Sequence, residues 1–250
     1  MDPRAGAKPA VPRRRDFRSE PVEWSGEQGG PVPNIDLILG GDHGRRRSVR
    51  TEPTQRRSSQ RLDALLDAAA EIVDELGFER LTTQMVAERA GASIGTVYRY
   101  FPDRVAVLHA LRERSVRRYR ERLAESMESA ELDAWWDVID VALDVCIALY
   151  RDEPGFAVVY SAPREASELD GEPEIAHRVA KLLEHDFGVI DDAGVRLRLG
   201  VALEIGATLI HRAFVRDAAG DQRYLDEARH VVRVYLDRHL TDRLAASSAA

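Results

Sequence analysis

The 250-residue chain reads as an all-α protein: a three-helix module towards the N-terminus, followed by a larger helical domain. Three observations predict this. From Ser58 onward apolar residues recur every three or four positions, the spacing of one buried helix face. Nowhere does the alternation of a strand appear. The periodic stretches are parted by short breaks at Gly77, Gly91-Ala92, Pro102-Asp103 and Pro154-Gly155.

Each element follows from its own residues. Leu62, Leu65, Leu66, Ala69, Val73 and Leu76 form one helical stripe, and Gly77 stops it. Thr82 or Thr83 caps a short helix to about Ala90 with Met85, Val86 and Ala90 inward, and Ser93 caps another through Tyr100. Pro102-Asp103 opens a long helix to about Met127. Further helices are expected over Trp135–Leu149, Phe156 to about Ala162, Glu174–Phe187, Asp192–Val215 and Asp221–Leu240. The boundaries drawn are 1–55, a disordered basic tail; 56–106, the small module; 107–242, the larger domain; and 243–250, a disordered end. Residues 1–53 hold 14 of the 28 glycines and prolines, and Ile35 to Leu39 is their one apolar cluster, too little to offset chain entropy. Their arginine triplets, 13–15 and 45–47, belong to a solvated tail or to an arm that adds phosphate contacts.

The formal charge of −7 suggests no nucleic-acid partner, but its distribution reverses that. Residues 1–60 sum to +4, residues 61–125 to 0 and residues 126–250 to −11. Between Arg80 and Arg122 ten arginines face four acids, an arginine-rich +6 stretch expected to supply a DNA-facing field. The single cysteine excludes a disulfide framework, and no apolar run approaches the ~18 residues of a membrane span. Arg14-Arg15-Asp16-Phe17 is followed by polar residues rather than an apolar stretch, so export is rejected and a cytoplasmic protein expected.

The informative segment is Leu81 to Arg104. Two short helices joined by a glycine-containing turn make a helix-turn-helix, whose second helix presents its N-terminal residues to the major groove. Ser93, Ile94, Thr96, Arg99 and Tyr100 are expected outward, with Val97 and Phe101 inward. The order Thr83, Ala87, Ala90-Gly91, Ser93, Gly95-Thr96, Tyr98, Tyr100-Phe101, Arg104 closely resembles the TetR family of bacterial transcriptional repressors. The resemblance covers about a fifth of the chain, Arg61 to Ala106, and departs from the family at Arg104, where lysine is usual. It implies that Thr83, Tyr98, Tyr100 and Arg104 contact phosphates and that Ser93, Ile94, Thr96 and Arg99 face bases. Core packing is the alternative for the tyrosines, and a solvated charge for Arg99.

Gly91-Ala92-Ser93-Ile94-Gly95 also matches the nucleophile elbow of serine hydrolases. That elbow needs a strand before the serine, and here a helical segment precedes it. Ser93 therefore reads as a cap, and no enzyme is expected. The seven histidines form no i,i+4 pair and no ligand cluster with Cys146, which reads as a buried, inert thiol. Neither metal nor cofactor is expected. Asp191-Asp192 and the acids from Glu165 to Glu174 read as solvated loop charges, and the Arg112–Arg122 run as at least half a solvated face.

The resemblance further implies a helical domain that dimerises and holds a small effector. Asp192–Val215 is apolar on more than one face, and Gly200, Gly206 and Ala207 permit close contact, so the last two helices are expected to form a two-fold interface. Trp136, Tyr150, Tyr160, His177 and His211 are the candidate pocket lining. The expected whole is a homodimeric repressor on near-palindromic double-stranded operator DNA, released by a small molecule. A helical scaffold that binds no DNA, or a hydrolase using Ser93, are the alternatives.

Overall fold

The computed structural model describes residues 33–39, 53–157 and 174–247, and every regular element among them is helical. In chain order these are α1 (Asp36–Leu39), α2 (Pro53–Leu76), a 3-10 turn (Phe78–Arg80), α3 (Thr83–Arg89), α4 (Ile94–Tyr100) and α5 (Arg104–Ser129). There follow α6 (Trp135–Asp152), α7 (Glu174–Phe187), α8 (Ala193–Arg216) and α9 (Gln222–Ser247).

Local capping sets most of the starts. Thr82 accepts from Met85 N at 3.2 Å, Asp103 from Ala106 N at 2.8 Å and Asp192 from Val195 N at 2.8 Å, each satisfying an amide the helix leaves unpaired. Ala134 has no acceptor to offer α6. Asp137 reaches back instead and takes the Ala134 and Asp133 amides at 2.8 and 2.9 Å.

Two apolar cores result. Leu65, Ala69 and Val73 of α2 meet Leu81, Val86, Val97, Phe101, Val107 and Leu111 to make the head. A second cluster built from α6 to α9, with Leu123 and Met127 of α5, makes the body. Helix α5 thus serves both cores as a continuous rod about 39 Å long.

Head and body meet again at the end of α6. Gly155 has φ +73°, a conformation that favours glycine, and a Cβ there would lie 2.9 Å from the Ala70 carbonyl oxygen in α2. Its amide donates to Asp74 Oδ1 of α2 at 3.1 Å. Nearby, Arg114 of α5, only 4 % exposed, pairs with Asp67 of α2 at 2.7 Å. Arg118 bridges Asp67 (3.8 Å) to Glu153.

Several expectations change. Residues 33–39, assigned to a disordered tail, form a turn and α1, with Ile38 fully buried in the body core. The apolar cluster was too small to fold alone but not too small to dock. Helix α2 begins at Pro53 rather than near Ser58, proline being suited to a first helical position. Helix α9 runs to Ser247, beyond the expected end at Leu240 and into the segment assigned to a disordered terminus. Gly206 serves packing within the chain, its Cα facing Leu143 and Val232 closely enough that a Cβ would lie 3.1 and 3.4 Å from them. Asp191-Asp192 are structural rather than solvated: Asp192 caps α8 and Asp191 holds Arg196 at 2.6 Å. The helix expected over 156–162 lies outside the described residues beyond 157.

Two glycine substitutions separate backbone strain from steric overlap. Gly91 has φ +59° with open space around it, so Gly91→Ala should cost about 1–2 kcal/mol, the left-handed penalty alone. Gly155→Ala adds an overlap with α2 and should cost a further ~1–3 kcal/mol. Urea unfolding of the two variants checks the order, and equal costs would contradict the close approach.

Candidate nucleic-acid interface

The head fixes α4 from behind. Val97 is fully buried and Phe101 nearly so, while Gly91 turns the backbone between α3 and α4. Ser93 sits at the N-cap: its Oγ accepts from Thr96 N at 3.1 Å and lies 2.9 Å from Thr96 Oγ1. A hydroxyl held in this way, on a loop that enters a helix with no sheet beneath it, is a cap and not a nucleophile.

The outward residues then fall into two groups. Ser93, Ile94 (36 % exposed), Tyr98 (54 % exposed) and Arg99 face solvent, with Thr96 half-buried. The Thr83 hydroxyl donates to the Tyr98 hydroxyl at 3.5 Å, so two residues assigned to phosphate contact stand side by side. Exposure on this scale removes core packing as the role of Tyr98. Tyr100 and Arg104 have duties inside the head. The Tyr100 hydroxyl lies 3.1 Å from Ser58 Oγ of α2, with the Arg99 guanidinium 5.1 Å from its ring centroid. Arg104 donates to the Glu79 carbonyl at 3.1 Å and stands 5.6 Å from the Phe78 ring, closing the 3-10 turn against α5.

Sequence reasoning passed over the α2 side of this surface. Arg57, Gln60, Arg61, Ala64 and Leu65, with Ala90, line a cleft of about 320 Å³ beside the Tyr100–Ser58 contact. The hydrogen bond from Ser58, then the charges of Arg99 and Arg61, hold the Tyr100 phenol below its ordinary pKa. These groups make one electropositive corner. The signal for it was the i,i+4 pair Arg57 and Arg61 on one helix face.

The +6 arginine stretch is largely not this surface. Arg89 binds Glu75 at 2.7 Å and Glu71 at 3.3 Å, clasping α3 to α2. Arg114 and Arg118 serve the head–body contact, Arg120 pairs with Glu174 at 3.4 Å and Arg122 with Asp152 at 3.5 Å. Their partners are distant in sequence, so local counting could not see the pairing.

Of the candidate pocket residues, Tyr150 and His211 come together. Tyr150 stacks on Phe214 (4.9 Å, 15°), meets Phe156 edge-on at 5.2 Å and lies 6.2 Å from the His211 ring. His211 Nδ1 is buried with no hydrogen-bond partner among the described residues, and burial, then Arg212, lowers its pKa. Trp136 stands apart, fourteen positions from Tyr150 and so about 21 Å along α6, beneath the Arg233 guanidinium at 4.9 Å. His177 is half-buried on α7, and Tyr160 lies outside the described residues. Among the described residues no three His, Cys, Asp or Glu side chains converge as a metal site, and no helix is long and apolar enough to cross a membrane.

Comparison with known proteins agrees with this geometry. Residues 65–111 match the family described as bacterial regulatory proteins, tetR family, and residues 133–240 match the tetracyclin repressor-like C-terminal domain. The crystal structure of a TetR-family transcriptional regulator from Streptomyces coelicolor is 35% identical and superposes with a TM-score of 0.63, over 73% of this chain and 99% of that one. The chain belongs to the TetR family. An HTH-type transcriptional regulator of Mycobacterium tuberculosis is 28% identical over 149 residues, 57% of this chain and 71% of the relative. The HTH-type transcriptional repressor KstR of Mycolicibacterium smegmatis is 43% identical over 49 residues, 20% of this chain and 24% of the relative. TetR-family proteins are transcriptional regulators rather than enzymes, in keeping with a capping role for Ser93.

Two measurements test the chemistry assigned to single side chains. Ser93→Ala should lower stability by about 1 kcal/mol through loss of the cap, while any hydrolysis of a generic ester stays at background. Ester turnover that vanished with Ser93 would contradict the assignment. Burial pushes the Cys146 thiol up to about 12, so a thiol reagent at pH 8 should leave the native protein unlabelled and label one cysteine per chain after unfolding.

Proposed function

We propose that this TetR-family regulator is a cytoplasmic repressor that binds a near-palindromic operator as a homodimer and is released by a small-molecule effector. The observation that carries the reading is the outer face of α4: Ile94, Tyr98 and Arg99 exposed on a helix held rigidly by Val97 and Phe101. Ile94 offers an apolar contact such as a thymine methyl, and Arg99 the bidentate donors that guanine accepts. Thr83, Tyr98, Tyr100 and Arg104 position the head on phosphates, with Ser93 and Thr96 at the base edge. The printed name of the repressor KstR, similar over the head, supports repression rather than activation.

Dimerisation is supported by apolar side chains left exposed on the last two helices: Leu197 and Val215 of α8 and Val234 of α9. A two-fold pair would set the recognition helices roughly 34–36 Å apart, one DNA turn. We place the effector site at the Tyr150, His211 and Phe214 cluster, where the Tyr150 ring stacks on Phe214 and lies 6.2 Å from the His211 imidazole. The −11 charge of residues 126–250 favours a neutral or cationic molecule there. Release follows by linkage: a ligand that prefers the spacing DNA cannot accept weakens DNA binding by the factor by which DNA weakens the ligand. Phe156, edge-on to Tyr150 and adjacent to Gly155, gives that cluster a path to α2.

Binding to the protein's own upstream DNA, titrated with salt, tests the reading. Arg104→Ala should lower affinity for all sequences and reduce the slope of log K against log salt by about 1 per site, whereas Arg99→Ala should relax discrimination at one base pair by about 1–3 kcal/mol. Salt-insensitive binding, or an Arg104→Ala variant with an unchanged slope, would refute the docking.

A further inference from the structure

The segment Pro33–Leu39 has no part in the head, yet it is built into the body. Helix α1 lies across α5 and α7. Ile38 is fully buried and joins the cluster containing Leu123 and Met127 of α5 and Val179 and Leu183 of α7. Ile35, Leu37 and Leu39 pack around it half-buried.

Polar contacts fix both ends. Asn34 N donates to Asp186 Oδ2 at 3.2 Å, and that carboxylate is almost wholly buried. At the other end Arg178 Nη1 donates to the Leu37 and Ile38 carbonyls at 3.4 and 3.3 Å. Arg178 is itself anchored by Glu174, which also takes Arg120 from α5. One helical turn does not persist alone in water, so the seat forms α1 rather than receiving it ready-made. That seat is an apolar cleft between two helices, with a guanidinium held at its rim and aimed at carbonyl oxygens. Without α1, the same features suit a small amphiphile: an apolar body in place of Ile38 and an anionic or carbonyl head on Arg178.

We propose that Pro33–Leu39 is a tethered occupant of an amphiphile-binding cleft between α5 and α7, and that an outside molecule of that chemistry gains the cleft only by displacing it. The cleft is lined by other residues than the Tyr150–His211 cluster, although both adjoin the same body core. Because α5 also carries the Arg114–Asp67 pair to the head, displacement would bear on DNA binding; that consequence rests on the repressor reading, whereas occupancy does not.

The test uses the full chain and 1-anilinonaphthalene-8-sulfonate, whose aromatic body and sulfonate match the cleft. A seat vacant in one molecule in ten weakens apparent affinity about tenfold. Ile38→Asp should therefore bind the dye at least about tenfold more tightly than the natural chain, with far-UV helical signal retained. A free peptide of residues 33–39 should expel the dye, and Arg178→Met added to Ile38→Asp should weaken dye binding several-fold. Should Ile38→Asp lose its helical signal, Ile38→Ala carries the same comparison. Equal dye binding by the natural chain and the variant, or dye the peptide fails to displace, would overturn the proposal. Since no DNA is present, neither outcome bears on the repressor reading.

Discussion

Gly155 lies so close to α2 that a methyl group would overlap the Ala70 carbonyl oxygen, and the head and body are locked together around that contact. Asp74 accepts the glycine amide, and Asp67, about two helical turns earlier, receives Arg114 and Arg118 from α5. One stretch of α2 therefore holds both the rod that leaves the head and the turn at the far end of α6. Packed interiors transmit displacement because they have no slack to absorb it. The Tyr150 and Phe156 rings lie on either side of that turn, so rearrangement among them reaches α2 as a shift of backbone against backbone.

The same contact explains what the arginines are for. A guanidinium can hold two partners in fixed geometry, which suits joints between helices as well as phosphate recognition. Arg118 spans Asp67 and Glu153, and Arg89 spans Glu71 and Glu75. The positive surface that remains is smaller than the charge count suggests and is shared by Arg99 on α4 with Arg57 and Arg61 on α2. An acidic total is compatible with DNA binding because many of the acids neutralise the protein's own arginines.

Legibility followed range. Thr82, Ser93 and Asp103 were readable as helix starts because a cap reaches only three residues along the chain. Val97 and Phe101 were readable as buried because periodicity is local too. The Tyr100–Ser58 contact, the Arg104–Glu79 contact and the burial of Ile38 were not, since each joins groups 25 or more residues apart, or a segment that has no structure until it docks. The pocket residues show the limit most plainly. Composition grouped Trp136 with Tyr150, but one lies at the start of α6 and the other near its end.

What the sequence by itself determined was the helical architecture, the helix-turn-helix and the outward identity of Ile94 and Arg99, because caps, turns and buried faces are written in neighbouring residues. Tertiary structure alone decided which arginines were left for solvent, that Gly155 would rest on Ala70, and that seven residues of an otherwise unpromising tail would complete the body. These depend on partners brought together only by the folded chain, where close packing and pairing assign each side chain to a neighbour the linear order does not name.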